Sequence, residues 1–396
     1  MNLILAGKSD LSVDVLKHLL SLKNINIYVV LNKTEDFKNS FQKSLGFYSK
    51  LWNVDIISLE QSYELKNAVF LSLEYDKLIK PKLFKSNHLF NIHFSKLPEY
   101  KGQYTSSWPI LNNEIESGVT LHLIDDGIDT GAIIDQIIFP LAYNETARSL
   151  YKKYVENGTK LVIKNLGNLI RKNYISTPQE YINSSFYGIT SISYSNLSIN
   201  YKQTAFQIDQ HIRAFSFREY QLPKFNDHEI ENSKILETKS LKKPGSLIKE
   251  DYAHFYVSTV DYDILLFKSF YQNLWEYCRL NNFIELKELL SKVNLDLETK
   301  TKEGWNALII SVYNNSIECV KLLLDHNVNI NAKNYNDTTV LMYAKENALK
   351  EKNTILLDLI LENGANLLDK DIYGKTVLDW LAKQNIQLYN YLKNND

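Results

Sequence analysis

The sequence predicts an α/β protein with a doubly wound, mostly parallel sheet, a small antiparallel β subdomain and a C-terminal all-α repeat array. Three observations predict this architecture. Short apolar runs alternate with amphipathic segments through residues 1–170, which is the pattern of consecutive β-α-β units. Residues 171–270 are dense in Tyr, Ser and Asn and are interrupted by prolines. Residues 271–396 repeat a pattern whose period is near 33 residues.

Composition limits the class of protein. A chain of 396 residues is long for one core, so two or three domains are expected. A net charge of −1 without a basic stripe argues against a nucleic-acid partner. No apolar stretch approaches membrane-spanning length and the N-terminus has no cationic leader, so we expect a cytoplasmic protein without a membrane partner. The cysteines, Cys278 and Cys319, form no metal or redox motif and are expected to be buried.

The elements of residues 1–170 follow from the spacing of apolar residues. We expect helices at 11–20, 38–51, 76–84 and 146–169, the last with Thr146 as its N-cap. Strands are expected at 2–6, 25–31, 54–59, 68–73, 89–93, 119–124 and 132–139. Because β-α-β crossovers join parallel strands, these elements predict one doubly wound domain.

Residues 171–270 predict one helix and a small sheet. The helix is expected at 203–215, where apolar residues recur on one side. Beyond Pro244 and Gly245, three short apolar runs at 246–249, 254–260 and 262–267 predict an antiparallel meander.

The last part, residues 271–396, contains an internal repeat. The segments that end at Leu308, Leu341 and Leu378 align, with spacings of 33 and 37 residues. A period near 33 with two helices per unit is the signature of ankyrin repeats. Residues 274–290 predict a degenerate first unit, and the extra residues around 348–353 predict an insertion in the loop between two helices.

Three polar side chains stand at the ends of apolar strand-like runs. Asn91 and His93 close the run 89–93, and Asp129 follows the run 119–124 through a glycine-containing loop. Strand residues i and i+2 point to one face, and ligands bind at the carboxyl ends of such strands. An amide can hold an oxyanion, an imidazole can move protons, and a carboxylate can orient and charge the imidazole. The three together predict catalysis of acyl transfer to an amine.

The segments around these residues resemble the formyltransferase family. FNIHFSKLPEYKG resembles the family's Asn-x-His motif with its Ser-x-Leu-Pro tail, and GVTLHLIDDGIDTGAII resembles its Asp loop. The resemblance covers roughly residues 1–270. It implies that Asn91, His93 and Asp129 are catalytic, that 10-formyltetrahydrofolate is the co-substrate, and that no metal takes part.

The resemblance also implies a folate side and a sugar-nucleotide side. Segment 72–76 and loop 125–129 are expected to contact the pterin mainly through backbone, and the nominated cofactor-binding residues are Ser72, Tyr75 and Asp125. The alternative is that Tyr75 and Asp125 are ordinary surface residues.

The segment IRAFSFREYQLP at 212–223 resembles the sugar-nucleotide branch of the family. Arg213 and Arg218 could pair with a pyrophosphate, Tyr220 lies in the same segment, and Trp108 falls where an aromatic wall is expected. The alternative is that both arginines pair with acidic side chains.

The combination with ankyrin repeats resembles enzymes that formylate dTDP-linked aminodideoxyhexoses, which are commonly dimers. We expect dTDP-3-amino-3,6-dideoxy-D-glucose as the substrate and a role in lipopolysaccharide O-antigen synthesis. Three alternatives remain: the 4-amino-4,6-dideoxyglucose isomer, a charged initiator tRNA, which the near-neutral composition argues against, and a non-catalytic protein whose ankyrin array binds a partner.

Trp305 is a candidate recognition residue in the repeat array. It follows Gly304 at the exposed position of an ankyrin finger, and tryptophan is a common anchor for flat ligands and protein partners. We therefore expect an auxiliary nucleotide or partner site there. The alternative is that the ring packs on a neighbouring repeat or on the first part of the chain.

Overall fold

Two units make up the chain in this computed structural model, which describes residues 1–194 and 197–394. The first unit contains Met1–Lys38 and Gln42–Lys268, and the second contains Asn39–Phe41 and Ser269–Asp396. The strands are β1 Asn2–Gly7, β2 Asn26–Leu31, β3 Asp55–Ile56, β4 Ala68–Leu73, β5 Leu89–His93, β6 Lys101–Gly102, β7 Glu116–Leu123, β8 Ile133–Pro140, β9 Phe186–Tyr187, β10 Lys224–Phe225, β11 His228–Lys239, β12 Leu247–Glu250, β13 His254–Val257 and β14 Tyr262–Lys268.

The α-helices divide between the two units. The first unit has α1 Ser9–Leu19, α2 Leu45–Leu51, α3 Leu59–Tyr63, α4 Trp108–Leu111, α5 Ala147–Arg171 and α6 Ala205–Phe215. The second has α7 Tyr271–Arg279, α8 Phe283–Lys292, α9 Ala307–Tyr313, α10 Ile317–Asp325, α11 Val340–Glu351, α12 Ile355–Glu362, α13 Val377–Gln384 and α14 Ile386–Asn394. Among the described residues, none of these helices is both long enough and apolar enough to cross a membrane.

A seven-stranded sheet organises the first unit. Its order is β3-β2-β1-β4-β5-β7-β8. The first five strands in this order are parallel, and β7 and β8 are antiparallel to their neighbours. The chain therefore builds outward from β1 through β2 and β3, then returns to β4 on the other side. The junction of β1 and β4 is the topological switch point, where sheets of this kind bind ligands.

The sheet is covered on both faces, as the period-2 alternation of β1 shows. Leu3 and Leu5 pack in the core cluster that includes residues of α1 and α5, whereas Ile4 and Ala6 pack in the cluster on the opposite face. Helix α5 begins where expected, because the Thr146 side chain accepts from the Ser149 backbone N–H in a capping box. The prediction of a doubly wound sheet is confirmed.

Three local predictions in this unit are wrong. Residues 76–84 form no α-helix but only a 3-10 turn at Pro81–Leu83, because a proline interrupts the segment. Helix α2 begins at Leu45, where the Ser44 side chain caps it, and not at residue 38. The run 54–59 contributes only two strand residues, because Ser58 opens α3 with a capping box.

The antiparallel subdomain is larger than predicted. It has five strands in the order β10-β11-β14-β13-β12, of which the sequence indicated three. Two strands were missed: the two-residue β10 and the longer β11, which is the twelve-residue strand HEIENSKILETK. Its polar composition and two register irregularities against β14 remove the alternation on which strand prediction depends.

The second unit consists of paired helices around one core cluster. Cys278 and Cys319 are both fully buried in it, as predicted. The extra residues near 348–353 do not simply lengthen a loop: α11 runs from Val340 to Glu351 and absorbs part of the insertion. The repeat thus accommodates added residues by adding a helical turn to the first helix of a pair.

Candidate active site

The side chains of Asn91, His93 and Asp129 meet at the carboxyl end of β5. Asp129 Oδ2 lies 3.4 Å from His93 Nδ1, and Asp129 Oδ1 lies 3.4 Å from Asn91 Nδ2. The carboxylate therefore touches the amide with one oxygen and the imidazole with the other. The structure brings both the Asn91 amide and the His93 imidazole to within 3.4 Å of the Asp129 carboxylate.

The local backbone explains the convergence. Asn91 and His93 are two apart on a strand, so their side chains share a face. Asp129 reaches them from the loop between β7 and β8 with a left-handed φ of 53°, a conformation that Asp tolerates better than most residues. Asp125 shapes this loop, because its Oδ1 accepts hydrogen bonds from the Gly127 N–H at 3.1 Å and the Thr130 hydroxyl at 2.7 Å.

A backbone amide completes the environment of the Asp129 carboxylate. The Gly102 N–H donates to Asp129 Oδ2 at 2.9 Å. Glycine is required at this position, since a Cβ there would lie 2.3 Å from the Tyr187 carbonyl oxygen. Burial by itself would raise the pKa of Asp129, but the charge of His93, together with His122 and the Gly102 N–H, lowers it well below its usual range.

His93 is held between two acceptors. Its Nε2 lies 2.8 Å from the Tyr100 carbonyl oxygen, and its Nδ1 faces Asp129. A carbonyl and a carboxylate can only accept hydrogen bonds, so an imidazolium with a donor on each nitrogen satisfies both contacts. The ring is 7% exposed, which fixes its orientation while leaving one edge near the surface of the site.

A second histidine, His122, was not predicted. It lies on β7 directly opposite Asn91 in the strand register. Its Nε2 lies 3.1 Å from Asn91 Nδ2, and its Nδ1 lies 2.7 Å from the Leu123 carbonyl. A neutral ring with its proton on Nδ1 satisfies both contacts, so His122 orients the amide of Asn91. The available signal was a histidine near the end of the predicted strand 119–124, seven residues before Asp129.

The nominated folate-side residues take different positions. Ser72 is buried on β4 and pairs in register with Asn91, so its backbone lies beside the catalytic strand. Tyr75 is half-buried and packs in the core cluster of that sheet face. Burial, with smaller effects from neighbouring acids, raises its pKa to about 12. The Asp125 side chain closes the loop before Asp129, as described above.

Trp108 forms part of an aromatic stack. It opens α4, and its ring lies 4.1 Å from that of Tyr187, centroid to centroid, at an interplanar angle of 24°. The Tyr187 ring stacks in turn on that of Tyr100, whose carbonyl oxygen contacts His93. The predicted aromatic wall is thus connected to the catalytic strand end through two tyrosines.

The two arginines of segment 212–223 pair with acids, as the alternative prediction stated. Arg213 is 7% exposed and its Nε donates to Asp209 at 2.8 Å. It also donates to the Glu145 carbonyl oxygen, which ties α6 to the start of α5. Arg218 forms an ion pair with Glu231 on β11.

Tyr220 lies on the surface at the end of the same segment. Its side chain is more than half exposed, and its ring contacts that of Phe217. Partial burial and the charges of Glu74 and Glu219 raise its pKa to about 12. The phenol therefore remains a hydrogen-bond donor at neutral pH.

Trp305 packs on the neighbouring repeat, as the alternative prediction for this residue stated. Its ring centroid lies 4.7 Å from that of Tyr313 and 5.4 Å from that of Tyr343. Tyr343 belongs to α11 and Tyr313 to α9. The tryptophan is therefore one member of a three-ring cluster within the second unit.

Within residues 1–194 and 197–394, no group of three or more His, Cys, Asp or Glu side chains is arranged to hold a metal ion. The donors gathered at the end of β5 are instead an amide, two imidazoles and one carboxylate. Such a set can stabilise a developing oxyanion and relay a proton.

Two protein-family profiles match the chain, one in each of its two units. A family profile described as "Formyl transferase" matches residues 53–166, and a profile described as "Ankyrin repeats (3 copies)" matches residues 274–371. The first match contains all three converging residues. The chain is also 29% identical over 150 residues to a methionyl-tRNA formyltransferase of Synechococcus sp. (strain JA-3-3Ab). That match covers 37% of this chain and 46% of the relative, less than half of its length.

Two solved structures match over most of the first unit. One is WlaRD, a sugar 3N-formyl transferase, in the presence of dTDP and 5-N-formyl-THF, with 42% identity and a TM-score of 0.62. The other is an N-formyltransferase from Helicobacter canadensis in complex with folinic acid and dTDP-3-aminofucose, with 43% identity and a TM-score of 0.61. Each match covers 68% of this chain, and 97% and 99% of the respective relatives.

The lowered pKa of Asp129 predicts how this residue contributes to stability. A carboxyl whose pKa falls on folding stabilises the fold above its unfolded pKa of about 3.9, and the contribution fades as the pH drops further. We expect Asp129→Asn to lower the free energy of unfolding near pH 5.5, and the difference from wild type to shrink toward pH 3.5, as measured by urea denaturation at about these values. Asp126→Asn, an exposed carboxylate of the same loop, is the control and should show little difference throughout. A deficit that grows as the pH falls would contradict the lowered pKa.

Proposed function

Because the chain belongs to the sugar N-formyltransferase family, we propose that it transfers a formyl group from 10-formyltetrahydrofolate to the amine of a dTDP-linked aminodideoxyhexose. The observation that carries this proposal is the meeting of Asn91, His93 and Asp129 at one strand end. The family relatives described above were solved with dTDP or a dTDP-amino sugar and with a formylated folate. An enzyme of this kind needs both ligands side by side at that strand end.

The first step is attack by the uncharged amine on the formyl carbon, which places a negative charge on the formyl oxygen. The Asn91 amide has two N–H groups, and one is directed at His122 Nε2 at 3.1 Å. The second has only a long contact with Asp129 Oδ1 at 3.4 Å, so it is available to the oxyanion. The positive charge of protonated His93 also stabilises the oxyanion, and loss of one hydrogen-bond donor to an oxyanion typically costs ~2.7–4 kcal/mol.

The second step moves a proton. The attacking nitrogen becomes positively charged as the C–N bond forms, and N10 of the folate needs a proton as its bond to the formyl carbon breaks. His93 or Asp129 passes the proton between them, directly or through water. The depressed pKa of Asp129 keeps its carboxylate charged, so Asp129 serves mainly to hold His93 in its charged, oriented form.

We assign the remaining ligand-binding residues to the folate or to the nucleotide sugar from their places in the fold. Ser72 and Tyr75 lie on or after β4 and Asp125 in the loop after β7, on the proposed folate side. Trp108, Arg218 and Tyr220 are proposed for the nucleotide sugar, with Trp108 supplying an aromatic face. Arg213 is proposed to hold the sugar-nucleotide side in position without touching the ligand. Its buried pair with Asp209 lies on α6, the helix that leads to Arg218.

We propose the 3-amino isomer, dTDP-3-amino-3,6-dideoxy-D-glucose, as the substrate, and lipopolysaccharide O-antigen synthesis as the destination of the product. The two solved relatives described above are a sugar 3N-formyl transferase and an N-formyltransferase in complex with dTDP-3-aminofucose, so both concern a 3-amino sugar. The 4-amino isomer is the alternative. Identity to methionyl-tRNA formyltransferases is lower, at 29% and 24% for two of them. The net charge of −1 also gives little electrostatic attraction for a polyanion such as tRNA.

The three-ring cluster at Trp305 is proposed as an auxiliary site for a nucleotide or a protein partner. Its support is chemical: Trp305, Tyr313 and Tyr343 place aromatic surface together on adjacent repeats, and such surface suits a flat heterocycle. A site there would regulate or retain the substrate and would take no part in the chemical step.

Substitution of the catalytic residues tests the reaction. We expect Asn91→Ala to lower kcat by about 10²–10³-fold, through loss of an oxyanion donor. His93→Ala should lower kcat by about 10²–10⁴-fold, through loss of proton transfer. The measurement is formyl transfer to the dTDP-amino sugar, followed by release of tetrahydrofolate. His228→Ala, at an exposed hairpin position, is the control and should remain active. Near-wild-type turnover in either Asn91→Ala or His93→Ala would refute the assignment.

A substrate panel decides the isomer. We expect kcat/KM for dTDP-3-amino-3,6-dideoxy-D-glucose to exceed that for the 4-amino-4,6-dideoxy compound by about 100-fold, because an amine misplaced by about 1 Å loses that much rate. The two compounds are compared at fixed 10-formyltetrahydrofolate. The opposite order would assign the enzyme to the 4-amino sugar, and no turnover with either would favour the non-catalytic alternative.

Binding stoichiometry tests the auxiliary site. We expect calorimetric titration of dTDP to give two sites per chain for wild type and one for Trp305→Ala, because the indole is proposed to stack on the base. Tyr373→Ala, an exposed tyrosine of the same unit, should keep two sites. Two sites in Trp305→Ala, or a single site in wild type, would show that the cluster holds no nucleotide.

A further inference from the structure

A cluster of polar side chains around Glu74, called the polar pocket below, lies at the topological switch point, and the side chain of Glu74 has no role in the function proposed above. β1 ends at Gly7 and β4 ends at Leu73, and the two strands pair in parallel along their whole length. They approach so closely at this end that a Cβ on Gly7 would lie 1.8 Å from the Leu73 carbonyl oxygen. Ser9 and Glu74, which follow these strand ends, project into the same space.

The carboxylate of Glu74 is the centre of this pocket. The Ser9 hydroxyl donates to its Oε2, and the Tyr151 hydroxyl lies 3.1 Å from both carboxylate oxygens. Gln42 Nε2 donates to the Tyr151 oxygen at 2.5 Å, and the Asn32 side chain donates to the Glu74 backbone carbonyl at 3.0 Å. Two hydroxyls therefore contact the carboxylate directly, while Gln42 holds Tyr151 and Asn32 holds the Glu74 backbone.

The backbone on both sides of the pocket is strained. Ser9 has a φ of 70° and Glu74 a φ of 59°, in the left-handed region that non-glycine residues seldom adopt. Such conformations cost free energy and cluster at ligand-binding sites. Here the strain occurs at two facing strand ends, and it aims both side chains at each other.

The pKa of Glu74 is raised by its surroundings. Burial raises the pKa of Glu74, and this effect outweighs the lowering by Lys8 and by the Ser9 and Tyr151 hydroxyls. A carboxylate in such surroundings does not favour folding, since desolvating a charge costs free energy. Yet Glu74 retains partial access to solvent. A group that costs stability and stays accessible fits a binding role better than a structural one.

The surroundings of the pocket indicate what it binds. Tyr151 has aromatic neighbours in Phe94 and Phe217, and Glu74 acts electrostatically on Tyr220. Lys8 is close enough to act on Glu74 itself. An anionic acceptor beside aromatic rings suits a polyhydroxylated ring with an apolar face, and a lysine at the margin suits a phosphate attached to that ring.

The position of Glu74 relative to Asn91 and His93 indicates which part of a substrate it could bind. Adjacent strands lie about 4.8 Å apart, and β4, which leads to Glu74, neighbours β5, which carries Asn91 and His93. The two groups are thus roughly one strand spacing apart at the backbone. A single hexose can present its amine to His93 and a hydroxyl to Glu74 across such a span.

We propose that Glu74, supported by Ser9 and Tyr151, accepts a hydrogen bond from a hydroxyl group of the hexose and thereby determines which amino sugars the enzyme accepts. This inference rests on the proposed function. In this proposal the side chain of Glu74 contacts the sugar, and the backbone of segment 72–76 contacts the folate. A contact between Glu74 and the pterin, whose N–H groups could also donate to a carboxylate, is a separate outcome of the test.

Three ligands separate these outcomes by calorimetry on the full chain: dTDP, dTDP-3-amino-3,6-dideoxy-D-glucose and folinic acid. For Glu74→Gln we expect the Kd of the sugar nucleotide to rise about 10-fold, through loss of a charge-assisted hydrogen bond. The Kd values of dTDP and folinic acid should stay within about 2-fold of wild type, a difference well below one such bond. Tyr151→Phe should shift the same ligand in the same direction by a smaller factor.

Glu145→Gln is the matched control. Glu145 is also a buried glutamate that accepts from a serine hydroxyl and a lysine, and its substitution should leave all three Kd values unchanged. The Tm of Glu74→Gln should not fall below that of wild type, since a buried charge is removed. A loss confined to folinic acid, an equal loss for all three ligands, or no change would overturn the inference. If wild type binds dTDP but neither binds nor formylates the amino sugar, the proposed function itself fails, which is a different result.

Discussion

The active site depends on placing one carboxylate, that of Asp129, where it cannot be solvated by bulk water. Only 13% of its side chain is exposed, so its charge must be balanced by protein groups. The Asn91 amide, His93 and the Gly102 N–H provide that balance, and His122 holds the Asn91 amide in place. These groups come from different positions along the chain. The Tyr100 carbonyl fixes the orientation of His93, and the Leu123 carbonyl fixes that of His122.

The sheet topology supplies these groups in one place. A purely parallel sheet would bring only strand ends together. Here β7 runs antiparallel to β5, so that His122, near the end of β7, stands opposite Asn91, and the loop that follows β7 brings Asp129 to the same site. The change from parallel to antiparallel pairing at β5 is therefore what allows an amide, two imidazoles and a carboxylate to share one site. The short β6–β9 pair adds the Gly102 amide from outside the sheet.

The sequence predicts the parts of this arrangement that depend on local periodicity. Asn91 and His93 are two apart on a strand, and that spacing alone places them together. It does not predict His122, because a histidine inside an apolar strand is indistinguishable from a satisfied core residue until its cross-strand neighbour is known. The same limit applies to β11, whose polar alternation is blurred by bulges, and to residues 76–84, where Pro81 prevents a helix. Whether Arg213 faces a ligand or Asp209 depends on the packing of α6, which local sequence does not encode.

The surroundings of Asp129 and Glu74 shift the pKa values of these two carboxyl groups in opposite directions. Asp129 sits among a cation and hydrogen-bond donors, and its pKa is lowered. Glu74 is supported mainly by two hydroxyls, and burial raises its pKa. Environments that separate the pKa values of paired acids mark a division of roles. A permanently charged Asp129 suits the stabilisation of an imidazolium, whereas a poorly solvated Glu74 gains most from a ligand that donates a hydrogen bond. The fold thus creates two acids of different character, one after β4 and one after β7, which are the two neighbours of β5 in the sheet, and one substrate that reaches both can satisfy each of them.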